Sequence, residues 1–119
     1  KLAAGLACAD YYISKGQDSR ALSYLQQHTD GVDRETLQVL YSKQGYVLLR
    51  LNEARQAQQV YSELVRIFPQ DSLSWLGLGY AFSQMEQESS AQEAFAEAYR
   101  YAAPGAEYAP ILAQILKDE

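Results

Sequence analysis

Residues 75–104 read WLGLGYAFSQMEQESSAQEAFAEAYRYAAP. Trp75, Leu78, Gly79 and Phe82 fall at helical spacing, and Ala91, Phe95 and Ala98 mark a second helix closed by Pro104. The same marks stand 34 residues upstream (41 against 75): Tyr41, Gly45 and Leu48, then Ala57, Tyr61 and Leu64, closed by Pro69. A weaker copy lies 36 residues further back (9 against 45), at Ala9, Tyr12, Ala21 and Leu25. Self-similarity at such a period is how stacked helix–turn–helix units appear in a sequence. Units of this kind hold other proteins more often than they catalyse reactions.

The pattern predicts helices over residues 2–15 and 20–28, 34–51 and 54–68, 72–85 and 89–102, and a short last helix over 107–117. Ser19, Asp33 and either Asp71 or Ser72 are the expected N-caps, and Ser90 with Glu93 forms a capping-box pattern. Gly16, Gln17 and Asp18 punctuate the first pair, Asn52 and Glu53 form the turn of the second, and Pro69 stops the fourth helix. The polar loop 29–33 takes up the two extra residues between the first and second copies. In the last helix Tyr108, Ile111, Leu112, Ile115 and Leu116 share one face, and Pro110 sits in the first turn, where a missing N–H is harmless. Such a helix suits the end of a solenoid, whose last apolar face needs cover. The expected organisation is one all-α domain over 1–119, with repeats at about 2–33, 38–71 and 72–105 and a capping helix at about 107–117.

Two antiparallel helices that pack closely need a notch, and Ala9, Gly45 and Gly79 occupy equivalent places to supply it. Glycine inside a helix is less favourable than alanine by up to ~1 kcal/mol, so Gly45 and Gly79 imply a packing reason. The facing residues Ala21, Ala57 and Ala91 are small as well. Tyr12, Leu48 and Phe82, with Leu25, Tyr61 and Phe95, then fill the space between units.

Composition narrows the function. The chain has 119 residues, 48 % of them hydrophobic, and a net charge of −5. Lys and Arg are scattered singly, whereas binding nucleic acid calls for a basic face. The acidic residues Glu86, Glu88, Glu93 and Glu97 read as a solvated helix face, with docking of a basic partner as the alternative. No run approaches the ~20 apolar residues of a membrane span. Cys8 is the lone cysteine, so no intrachain disulfide forms and cytoplasm is the default, with a periplasmic location as the alternative. The chain starts at Lys1 rather than Met, which fits a piece of a longer protein. The stretch 2–9, LAAGLACA, has the look of a signal-peptide end, but the repeat register explains it as helix.

Catalytic patterns are missing. His28 is the single histidine and stands at a helix end; Cys8 has no histidine near it in sequence. Gly77 and Gly79 lack the strand and third glycine of a dinucleotide loop, and metal-ligand spacing is absent. The chain is therefore expected to be no enzyme and to hold no cofactor or metal.

The residues at 75–104 and their upstream copies resemble the tetratricopeptide repeat family over nearly the whole chain. The third copy fits best, with its proline one place late at Pro104; the second carries Gln44 where an aliphatic residue is usual; the first lacks a closing proline. A narrower resemblance, through Leu40, Tyr41, Tyr61, Asp71, Ser72 and the string from Trp75 to Gly79, is to small repeat chaperones of bacterial type III secretion. Similar strings occur in repeat proteins of pilus-assembly and outer-membrane systems. The family resemblance implies that the first helix of each repeat lines a concave groove. By register this gives Ala3, Leu6, Asp10 and Ile13, then Val39, Ser42, Tyr46, Leu49 and Arg50, then Leu73, Leu76, Tyr80 and Ser83. A lining of aliphatic and tyrosine side chains with one basic residue suits an apolar or amphipathic segment of a protein partner, such as a secretion substrate or apparatus subunit. An acidic C-terminal peptide would need several basic side chains there. Tyr11, Tyr12 and Tyr24 form a possible second patch, and homo- or hetero-oligomers are open to a solenoid with exposed ends. The alternatives to the chaperone are a scaffold domain of a larger pilus- or envelope-assembly protein and an enzyme-associated regulatory module.

Overall fold

The computed structural model describes residues 9–26 and 32–117. Ala3, Leu6, Cys8, His28 and most of the loop 29–33 lie outside them. Residues 9–14 are helical (α1), followed by α2 (Asp18–Gln26), α3 (Arg34–Arg50), α4 (Ala54–Ile67), α5 (Ser72–Gln84), α6 (Glu88–Tyr101) and α7 (Ala109–Lys117). Each helix from α2 onward packs on the next, and α3 also meets α5. The result is an all-α, tetratricopeptide-like solenoid of three helix pairs with a terminal helix, elongated to 43 × 26 × 23 Å.

The three pairs turn in the same way. Gly16, Asn52 and Glu86 all take positive φ, at 73°, 59° and 61°. The following N–H reaches back five residues in each turn: Gln17 to the Tyr12 carbonyl at 2.8 Å, Glu53 to Leu48 at 2.9 Å and Gln87 to Phe82 at 2.9 Å. These are Schellman closures, which satisfy carbonyls that the helix end leaves without partners. The left-handed position suits glycine, is tolerated by asparagine and strains glutamate.

The same turns correct two expected helix starts. Helix α6 begins at Glu88, so Ser90 lies inside it, and the cap residue Gln87 makes no side-chain capping bond. The Ser90–Glu93 capping box therefore does not form at this start, because the Schellman turn admits the chain to the helix two residues earlier. Likewise α2 begins at Asp18 and contains Ser19. At α3 the expected cap is present: Asp33 accepts a hydrogen bond from the Thr36 N–H at 2.8 Å. Asp71 caps α5 by position, yet its carboxylate takes Ser74 Oγ at 2.5 Å and Gln38 Nε2 at 2.9 Å instead of a backbone N–H.

The notches work through rings. A Cβ added to Gly79 would stand 2.6 Å from Phe95, and one on Gly45 2.5 Å from Tyr61. Ala9, Ala21, Ala57 and Ala91 are fully buried, as are Leu25, Leu48 and Leu64 nearly so. Gln44, which departs from the aliphatic pattern, is buried and donates to the Leu25 carbonyl of α2 at 3.4 Å. Ser72 Oγ donates to the Ala98 carbonyl, tying the start of α5 to the end of α6, and Trp75 Nε1 holds the Pro69 carbonyl at 2.8 Å. Leu112 of α7 is buried on Ala91, Phe95 and Ala98, so the terminal helix closes the last core cluster.

Candidate functional site

Helices α3 and α5 run side by side and are bridged at both ends. Gln38 meets Asp71 near their starts, and Gln84 Nε2 donates to the Leu49 carbonyl at 3.2 Å near their ends. Between the bridges lies an open groove of about 510 Å³. Val39, Ser42, Tyr46 and Leu49 line it from α3, and Leu73, Leu76 and Tyr80 from α5. These positions recur every three or four residues, so they form one stripe on each helix, on the side that pairing within a unit leaves free.

Four of the stripe residues are large and exposed: Val39 (43 %), Tyr46 (48 %), Leu73 (57 %) and Tyr80 (43 %). The Tyr80 ring stands edge-on to Phe95, with centroids 5.5 Å apart, which fixes it on the α5 wall. Tyr46 is fixed from its other side, where Arg50 lies over its ring at 5.5 Å and donates to its hydroxyl at 3.1 Å.

Charged groups around the groove already have partners. Lys43 pairs with Asp10 of α1 at 2.6 Å, and Arg50 Nε pairs with Asp18 of α2 at 2.9 Å. Asp18 is buried and its Oδ1 has no hydrogen-bond partner, so the Arg50 contact neutralises a charge in the interior. Apart from the Asp71 carboxylate, which accepts from the neutral groups of Gln38 and Ser74, the rest of the lining is uncharged.

Of the residues expected at the groove, the seven named above meet in it. Asp10 lies beside it through its ion pair with Lys43. Ile13 packs on the core cluster of Ala9, Ala21 and Leu25. Arg50 acts on the groove through Tyr46, and Ser83 is half-buried outside the lining. Leu6 is outside the described residues. Sequence reasoning missed Gln38, Lys43, Asp71, Gly77 and Tyr61, which also line the groove. Gly77 and Tyr61 form its floor: a Cβ on Gly77 would run into the Tyr61 ring. Burial, and then the neighbouring Tyr46, push the Tyr61 phenol up to about 12.

A second groove of about 530 Å³ lies between α5 and α6, lined by half-buried Trp75 and Phe82 and by Glu93 and Glu97. None of its large apolar side chains is exposed, so the α3–α5 groove is the stronger candidate. In the first pair, Tyr11 is exposed, while Tyr12 and Tyr24 are half-buried and packed together with centroids 5.5 Å apart. Among the described residues no group of three or more His, Cys, Asp or Glu could hold a metal ion. No helix among them is long and apolar enough to cross a membrane.

No protein-family model matches the chain, and no curated protein matches it by sequence. Among solved structures it is similar to the Hsp90 co-chaperone Cns1 from Saccharomyces cerevisiae (delta69), with a TM-score of 0.85 at 14 % identity. The likeness covers 98 % of this chain and 38 % of that one. At this identity the match speaks for the fold. This chain thus spans little more than a third of the protein whose fold it shares.

Proposed function

We propose that the chain is a protein-interaction module that holds an apolar or amphipathic segment of a partner protein in the α3–α5 groove. One observation carries this reading: Val39, Tyr46, Leu73 and Tyr80, the large exposed side chains of these two helices, converge on one open groove. Apolar groups gathered in this way gain free energy when a partner excludes water from them, at roughly 25 cal/mol per Å². The tyrosines add area at low entropic cost and leave their hydroxyls for orientation. Binding needs no catalysis, and none is proposed.

The co-chaperone description of the structural neighbour supports a protein partner. An acidic C-terminal peptide fits poorly, because Lys43 is the basic side chain in the lining and Asp10 already occupies it. The narrower role, a cytoplasmic chaperone of bacterial type III secretion, rests on the sequence resemblance from Leu40 to Gly79 alone. A scaffold domain within a larger pilus- or envelope-assembly protein is the second reading. It is favoured by the neighbour, in which this fold occupies 38 % of a longer chain.

The test compares partners captured from the native source by the wild type and by Tyr46→Ala/Tyr80→Ala. A partner held by the wild type and lost by a fully helical variant supports the groove. Equal capture by both forms would move the site elsewhere. A secretion substrate or apparatus subunit among the lost partners favours the chaperone, and an envelope or pilus subunit favours the scaffold.

A further inference from the structure

We infer that the Tyr61 hydroxyl is a specificity-determining contact in the groove floor, donating a hydrogen bond to a backbone carbonyl of an extended apolar segment. The inference rests on the groove reading above and adds to it which residue selects the ligand and what it selects.

Tyr61 belongs to α4, behind the two helices that line the groove. Its ring passes between them. A Cβ on Gly45 of α3 would meet the Cζ end of the ring at 2.5 Å, and one on Gly77 of α5 would collide with the same end. The hydroxyl at that end therefore emerges where α3 and α5 form the groove, whose lining includes Tyr61. The residue is only 6 % exposed, and no hydrogen bond among the described residues uses its hydroxyl. The hydroxyl is not sealed in: among the described residues the sealed side-chain atom without a partner is Asp18 Oδ1. A polar group on a buried ring is costly without a partner, and here the groove is where one can come from.

Packing of the repeat does not ask for this hydroxyl. The equivalent residue is Phe95 in the next repeat and Leu25 in the preceding one. Nor does the repeat ask for Gly77, whose counterpart 34 residues upstream is Lys43. Two departures from the repeat thus meet at one point: a glycine that makes room and a phenol that fills it.

The chemistry of the acceptor follows from the surroundings. Lys43 and Arg50 are paired with Asp10 and Asp18, while the Asp71 carboxylate near the helix starts is held by the neutral donors Gln38 and Ser74, so the lining offers no unpaired cation and disfavours an anionic ligand. Burial keeps the phenol protonated far above neutral pH, so it offers a neutral donor. A neutral acceptor suits it. Carbonyls within a helix are used by the helix itself, whereas those of an extended segment are free to accept. Alternate side chains of such a segment would then rest on Tyr46 and Leu73 on either side.

The experiment uses an array of N-acetylated, C-amidated apolar nonapeptides screened against the wild type. The tightest binder is remeasured against Tyr61→Phe and Tyr46→Ala. It is also remeasured with each backbone amide replaced in turn by an ester, whose carbonyl is the weaker acceptor. The inference expects Tyr61→Phe to weaken binding by about 3- to 10-fold, the loss of one neutral hydrogen bond. It also expects a melting temperature at neutral pH that is unchanged or raised, since an unpartnered hydroxyl is removed, and one ester position that weakens binding to the wild type but not to Tyr61→Phe. Unchanged affinity in Tyr61→Phe alongside lost binding in Tyr46→Ala would overturn the Tyr61 assignment and leave the groove standing. A lowered melting temperature in Tyr61→Phe would assign the hydroxyl to the fold and overturn it as well. Full binding by Tyr46→Ala, or an array with no binder, would overturn the groove reading and this inference with it.

Discussion

Replacing Gly77 by alanine should destabilise the protein, although alanine is the better helix former. On an open helix the exchange stabilises by about 1 kcal/mol. At Gly77 the new Cβ would be driven into the Tyr61 ring, which has little room to swing away because Gly45 packs on its other side so closely that even a Cβ there would stand only 2.5 Å from the ring. Overpacking of this kind costs about 1–3 kcal/mol, occasionally more, so the net expectation is a loss of up to about 2 kcal/mol. In a domain of this size each kcal/mol moves the melting temperature by roughly 4 °C. The background Tyr61→Leu removes the ring and places there the residue type that Leu25 supplies in the first repeat. In that background Gly77→Ala should stabilise by about 1 kcal/mol, its helix-propensity gain. Urea unfolding followed by circular dichroism at the helical minimum reads all four proteins of this cycle. The reasoning is refuted if Gly77→Ala stabilises the wild type, or if its effect is the same with and without the ring.

Further outcomes follow from other features. Glu86 holds a left-handed conformation that disfavours a side chain by about 1–2 kcal/mol, while glycine gives back about 0.4–1 kcal/mol through the unfolded chain. Glu86→Gly should therefore raise the urea midpoint, and Asn52→Gly should raise it less; a fall in either would contradict the turn geometry. Tyr61 keeps its proton to about pH 12 when folded against an ordinary 10.0, so its contribution is complete below pH 10 and is lost as pH rises toward 12. That difference is on the order of 2–3 kcal/mol. Tyr61→Phe should flatten the alkaline loss of stability in this window, and an unaltered profile would contradict the burial of the phenol. Hydrogen bonds from Thr36, its side chain first and then its backbone, hold the Asp33 carboxyl below its ordinary value of 3.8. Its stabilisation of α3 is present above that value and is lost as pH falls through the lowered one. Asp33→Ala should thus lower the midpoint at neutral pH and shallow the acid limb, as acid titration of the helical signal would report.

The solenoid was legible because its packing demands repeat. Gly45 and Gly79 stand under large rings in two successive units, and a helical glycine with a ring 16 residues later (45 to 61, 79 to 95) is hard to read otherwise. Helix starts were less legible. Ser90 and Glu93 carry a true capping pattern, but the turn at Glu86 fixes the helix start before that pattern can act. The left-handed position itself was visible as glycine at Gly16 and hidden at Glu86, where the turn overrides the residue's preference. At the groove, register placed Val39, Tyr46, Leu73 and Tyr80 because their stripe follows the helix period. Register could not place Gly77 and Tyr61, since their pairing breaks the repeat and depends on how α5 lies against α4. Asp18 was equally hidden: it reads as a turn residue, and only the fold brings Arg50 onto it.

The central claim is that the α3–α5 groove receives the partner. Its most direct test is site-specific photocrosslinking in the native cell, with benzoylphenylalanine introduced in turn at Tyr46, Leu73, Tyr99 and Ile111, all exposed. The account predicts that one partner crosslinks from Tyr46 and Leu73 and from neither Tyr99 nor Ile111, which lie outside the groove. A partner caught from Tyr99 or Ile111 but not from Tyr46 or Leu73 would contradict it.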